Sequence, residues 1–179
     1  MRFCKTEIPD VFVVEATPHE DARGAFARLY CPNEFAEAGI AFAPQQVNLS
    51  TNVRKHTLRG MHFQPAPYAE AKLVRAVAGR AFDVVVDLRP ESPTCGRWIG
   101  VELCAKAMNA VFVPQGCAHG FLTLEDDTAL LYQMGRIYAP GHGAGYRWDD
   151  PAFGIEWPAA PVVISEQDCQ WPPYSSRST

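Results

Sequence analysis

Apolar residues in this chain recur at every second position, and fifteen prolines and thirteen glycines cut that alternation into short runs. A period of two puts successive side chains on opposite faces of an extended backbone, whereas an amphipathic helix needs a period near 3.6. The pattern predicts strands over residues 11–15, 25–30, 45–50, 72–77, 80–88, 98–103, 110–113 and 129–134. One short helix is predicted over 33–38, with Asn33 as its N-cap and Gly39 as its stop. Eight or more short strands joined by turn-rich loops make a β-sandwich or a β-barrel, not a βαβ protein. Hydrophobic residues form 47% of the chain and charged residues 20%, enough apolar side chain for one domain over residues 1–179 to close a core. The stretch 169–179, rich in Pro and Ser, is expected at the periphery.

The formal charge of −4 argues against nucleic acid as a partner, because that affinity is built from many Lys and Arg contacts to phosphates. No apolar run is long enough to span a membrane, and the opening MRFCKTEIPD lacks the charged-then-apolar order of a signal peptide. A cytoplasmic location is the expectation. Cys4, Cys31, Cys95, Cys104, Cys117 and Cys169 are scattered, with no CxxC pair and no histidine at zinc-ligand spacing. They read as reduced thiols that fill core or surface.

Two segments break the ordinary logic of a half-buried strand. In Gln46-Val47-Asn48-Leu49-Ser50 the polar residues share one face, and in Gly60-Met61-His62-Phe63-Gln64 His62 and Gln64 do the same. Such a face meets solvent in a sandwich. Here its members are amides and an imidazole rather than Lys and Glu, which fits a barrel lumen lined for a polar ligand.

Six stretches carry more than pattern: DARGAF (21–26), LRGMHFQ (58–64), DVVVDLRPESPTCGRW (83–98), PQGCAHGF (114–121), WDDPAFGIEWP (148–158) and SEQD (165–168). In order and spacing, over residues 11–168, they resemble the dTDP-4-dehydrorhamnose 3,5-epimerase family of the cupin superfamily. The resemblance implies an all-β cupin or jelly-roll barrel with a few short helices, and an isomerase that inverts carbons 3 and 5 of a 4-keto-6-deoxyhexose nucleotide. It also implies a homodimer whose N-terminal strands exchange, so that Arg23 and Phe26 complete the neighbour's pocket.

On the family pattern His62 is the general base. Read alone, a lone histidine in a strand is a satisfied core residue, but an imidazole, which as a class titrates near 6.5, also suits proton removal at working pH. Asp168 matches the aspartate that orients the base, although Ser165-x-x-Asp168 also has the spacing of a helix cap. Tyr132, which could simply pack in an apolar strand, matches the acid that protonates the opposite face. Lys72, otherwise an ordinary edge-strand lysine, matches the cation against the ketone oxygen. Arg23 and Arg59, each followed by glycine, match the diphosphate clamps, since the guanidinium fork suits phosphate oxygens. His119 matches a substrate contact, and Phe26, Gln46, Asn48 and Tyr138 match residues that touch the nucleotide.

Cupins often hold a metal, and Pro114, Gly116 and His119 match their second motif. Their first motif needs two histidines one residue apart and then a glutamate; here His62 is followed by Phe63 and Gln64. No metal and no cofactor are expected. Three positions depart from the family at its nucleotide end: Arg28 replaces a glutamate, Gly143 an acidic residue and Gln167 a basic one. They raise the alternatives of a GDP- or CDP-linked keto sugar, or inversion at carbon 3 alone. A non-catalytic sugar-nucleotide-binding cupin is the alternative from another class.

Overall fold

The computed structural model describes residues 1–174. The chain runs β1 (Arg2–Lys5), β2 (Phe12–Glu15), β3 (His19–Asp21), β4 (Gly24–Phe26), α1 (Pro32–Glu37), β5 (Gln46–Asn52), β6 (Leu58–Phe63) and β7 (Lys72–Ala78). It continues through β8 (Arg80–Asp87), β9 (Trp98–Cys104), β10 (Ala110–Val113), β11 (Cys117–Thr123), β12 (Thr128–Met134), β13 (Ala144–Gly145) and α2 (Glu166–Gln170). A six-stranded sheet has the order β1-β2-β10-β7-β12-β5 and a five-stranded sheet the order β13-β6-β11-β8-β9. All their pairings are antiparallel. The hairpin β3–β4 stands apart as a two-stranded ribbon.

The two large sheets face each other across one core. Val74, Ala76, Val111, Val113 and Leu130 from the first meet Ala81, Val85, Leu103, Cys117 and Phe121 from the second. The outer face of the first sheet is covered by Phe35, Ile40 and Phe42, which pack on Val14, Leu73, Ala110 and Phe112. The outer face of the second is covered by Tyr146, Phe153, Ile155, Trp157 and Tyr174, packed on Met61, Val84, Val86 and Ala118. This is the expected all-β cupin-type jelly roll.

Several local expectations need correcting. The helix begins at Pro32 with Cys31 as N-cap and no side-chain cap bond, so Asn33 lies inside it. Proline fits a first helical position because its missing N–H would have had no partner there. The strand expected over 25–30 ends at Phe26. Side chains and backbone then tie residues 28–30 down individually: Arg28 pairs with Glu34, Leu29 O accepts from Arg75, and the Tyr30 hydroxyl donates to Phe42 O. Within the stretch expected at the periphery, 169–179, two aromatic residues are tied to the body of the protein. Trp171 donates its indole N–H to Asp168, and Tyr174 packs against Phe153 with its N–H donating to Asp150; residues 175–179 lie outside the described residues. Among the described residues, no helix is long and apolar enough to cross a membrane.

Candidate active site

Strand β6 carries Arg59 and His62, and its approach to β11 explains two of the glycines. A Cβ on Gly60, whose φ is +137°, would stand 2.5 Å from Gly120 Cα, and a Cβ on Gly120 would meet Met61 Sδ at 2.6 Å. Gly60 therefore serves the close contact between two strands. Across that contact His62 and His119 are register partners, and Arg59 pairs with Phe121 after an irregularity.

His62 Nε2 lies 2.5 Å from Asp168 Oδ1. That carboxylate is nearly buried while the imidazole is 44% exposed toward the cavity mouth. Burial alone would raise the Asp168 carboxyl, but the His62 and Trp171 donors hold it below the usual carboxylate range. Asp168 is thus an anion placed to accept from Nε2–H, the tautomer in which Nδ1 carries no proton. The cap spacing in SEQD is realised as well: the Ser165 hydroxyl accepts from Asp168 N at 3.1 Å and caps α2.

His62, Arg59, Lys72, His119, Tyr132 and Asn48 line one cavity of about 320 Å³, together with Leu49, Ser50, Glu70, Phe121 and Met134. His62, Arg59 and His119 come from the five-stranded sheet; Lys72, Tyr132 and Asn48 come from the facing one. The expected polar face of β5 does line the lumen. Of the apolar residues on this edge strand, Leu49 also borders the lumen, and Val47 and Leu49 are 58% and 59% exposed.

Tyr132 sits edge-on to His119, with ring centroids 5.7 Å apart. Burial, reinforced by the Asp83 carboxylate and opposed in part by Arg59, pushes its phenol far above the ordinary value. The group stays protonated and able to donate. His119 Nε2 meets Asp83 Oδ2 at 2.7 Å, both side chains being almost wholly buried. Burial raises the Asp83 carboxyl more than His119 lowers it. Lys72, also buried, bonds Glu70 at 2.9 Å, and Glu70 accepts from Gln64 Nε2 at 2.6 Å.

Asp83, Glu70 and Trp171 were missed by sequence reasoning. Asp83 had a signal, a carboxylate on the inward face of DVVVD that needs a buried partner. Glu70 had one too, standing two residues before Lys72 on the same face. Trp171 lay in the stretch read as peripheral and had none.

Arg59 and Asn48 are tied to neighbours outside the cavity lining. Arg59 donates Nε–H to Asn52, and Gln46 bridges Asn48 and the Tyr138 backbone N–H at the rim. Arg23 and Phe26 do not reach this cavity. Arg23 is 90% exposed and bonded to Asp21, and Phe26 is 78% exposed, both on the detached hairpin. Arg28 is held by Glu34. Cys117, its thiol pushed up to about 12 mainly by burial, is an inert core residue. Among the described residues, no three His, Cys, Asp or Glu side chains gather as a metal site requires. A larger recess of about 660 Å³ beside β1, β2 and α1 includes Arg89, whose fork already bonds Asp87 and Asp10. It brings together no acid–base pair.

The chain matches the sequence model described as dTDP-4-dehydrorhamnose 3,5-epimerase over residues 5–176. It is 40% identical to the dTDP-4-dehydrorhamnose 3,5-epimerase of Shigella flexneri across 94% of this chain and 93% of that one. It is 41% identical to the one from Methanothermobacter thermautotrophicus across 96% and 94%. The crystal structure of the Bacillus anthracis enzyme, with TDP and PPi bound, superposes with a TM-score of 0.94 at 34% identity, covering 97% of this chain and 99% of that one. With the matched fold and a full-length sequence match, the chain belongs to the dTDP-4-dehydrorhamnose 3,5-epimerase family, a family of isomerases.

Proposed function

We propose that this chain inverts carbons 3 and 5 of dTDP-4-dehydro-6-deoxy-D-glucose by two rounds of proton removal and return. The observation that carries the reading is the convergence of an oriented base, His62 on Asp168, and a protonated phenol, Tyr132, on one cavity from two facing sheets. His62 Nδ1 takes the proton beside the ketone, and the electron pair moves to the oxygen as an enolate. The Lys72 ammonium faces that oxygen; such preorganised charge supplies about 2.7 to 4 kcal/mol. Tyr132 then delivers its proton to the other face of the carbon, and base and acid are reset by exchange with solvent. Atoms balance without a co-reactant.

A non-catalytic binder has no use for an acid and a base aimed into one cavity. The guanosine or cytidine alternative rested on Arg28, Gly143 and Gln167. Arg28 is taken up by Glu34, and the relatives carry dTDP in their names, so that alternative is not favoured. The test is incubation with the dTDP-linked 4-keto sugar in deuterated buffer. Label is expected at carbons 3 and 5 of the inverted product; label at neither would remove the reading, and label at carbon 3 alone would narrow it.

The active form in this reading is a homodimer. The detached β3–β4 hairpin with its exposed Phe26, and the exposed Val47 and Leu49 of edge strand β5, are what a partner's hairpin would cover. Arg23 would then hold the diphosphate of the neighbour's substrate. Co-expressing Arg23→Ala and His62→Ala chains tests this. A hairpin acting in trans gives mixed dimers with one intact site, so activity well above either variant alone is expected. A hairpin acting in cis restores none.

A further inference from the structure

We infer that Glu70 is a positioning residue that keeps Lys72 charged and aimed at the ketone oxygen, with Gln64 fixing Glu70 in turn. The inference rests on the reading of Lys72 as the enolate's partner. Glu70 and Lys72 are 7% and 6% exposed, and the Glu70 carboxylate is engaged at both oxygens, by Lys72 Nζ at 2.9 Å and Gln64 Nε2 at 2.6 Å. The Gln64 amide cannot be reversed, because its carbonyl would then face a carboxylate. Its own Oε1 is one of two buried side-chain atoms without a hydrogen-bond partner among the described residues. Gln64 thus gives up an acceptor to pin Glu70, which a loose ion pair would not require.

An ammonium taken out of water without a counter-charge favours the neutral amine, and a neutral amine cannot stabilise an enolate electrostatically. Glu70 removes that problem while using one of three ammonium donors, leaving two for substrate. The other titratable or charged groups around Lys72 do not mimic its effect on the alkaline side. Cys117 is pushed up to about 12 and Tyr132 is held protonated, both by burial. Arg59 stays charged. The imidazoles of His62 and His119 are already bonded to Asp168 and Asp83.

Glu70→Gln keeps the shape and removes the charge. Its kcat at pH 8 is expected to fall on the order of tenfold to a hundredfold, short of the roughly 10² to 10³ that losing the donor itself costs, with little change in KM. A loss of that size at pH 8 requires the alkaline limb of kcat against pH to move down by several units, as burial of an unpaired ammonium can do. Activity should recover toward the unaltered protein as pH falls. A loss of the same factor at every pH, or an unmoved limb, overturns the inference. If Glu70→Gln does not fold, Glu70→Ala carries the same comparison with the same displacement expected. Lys72→Met separates the two layers. Full activity in that variant removes the role of Lys72 and this inference with it. An inactive Lys72→Met beside an unmoved Glu70→Gln limb removes Glu70 alone.

Discussion

Replacing His62 by Ala or Asn is expected to remove solvent-deuterium exchange at both sugar carbons while the barrel stays folded. The imidazole is 44% exposed, so its loss leaves little cavity. Asp168 loses one donor but keeps the Trp171 indole N–H and the longer contact from Gly60 N. A buried carboxylate short of one partner costs about 1 to 3 kcal/mol. For a chain of this size that lowers Tm by several degrees, not to unfolding. The kinetic effect is far larger, because a positioned general base contributes about 10² to 10⁴-fold and no second base replaces it. His119 is the nearest other imidazole, yet it is buried and bonded to Asp83. Mass-spectrometric label counting, with a melting curve beside it, checks both halves. Exchange persisting near the unaltered rate, or a variant that does not fold, would make His62 a structural residue.

Much of the fold was legible because a period of two is a local property. Strands β5, β7, β8, β9, β10 and β12 lie within two residues of where the alternation put them. Strand β11 was overlooked because CAHGFLT is buried at every position, on both faces, and so shows no alternation. The end of β4 and the start of α1 depended on tertiary ties, the Arg28–Glu34 pair and the Tyr30 hydroxyl among them, that no local window contains. Trp171 and Tyr174 follow the same rule. Aromatics beside prolines read as tail until the outer face of a sheet is seen to need covering.

The candidate site divides along a similar line. Its lumen-facing polar residues on β5 and β6 were legible from alternation, and the motif resemblance named His62, Lys72, His119 and Tyr132, which now line one cavity. The carboxylates Asp83 and Glu70 were not found, since a buried acid is explained only by its partner: His119, the partner of Asp83, lies on another strand, and Lys72, the partner of Glu70, was read only as facing substrate. Arg23 and Phe26 were named as site residues yet stand on a hairpin apart from their own cavity. A second copy of the chain is what would reconcile those two facts.

Tyr132→Phe is expected to separate the two halves of the reaction. The change deletes one oxygen and keeps the ring, so the edge-on contact with His119 at 5.7 Å and the packing against the core survive. In the proposed reaction deprotonation is assigned to His62 and should continue. The enolate, lacking a donor on its far face, can only take deuterium back from the imidazolium side, with the original configuration. Recovered substrate should therefore carry label while inverted product falls by about 10² to 10⁴-fold, the usual contribution of a positioned acid. Because burial holds the phenol protonated well beyond neutral pH, this split should persist across the working range with no alkaline recovery. Proton magnetic resonance of the recovered sugar nucleotide distinguishes label from inversion at each carbon. Equal loss of exchange and inversion would mean that the hydroxyl positions substrate for His62, and the proton for the far face would have to come from elsewhere.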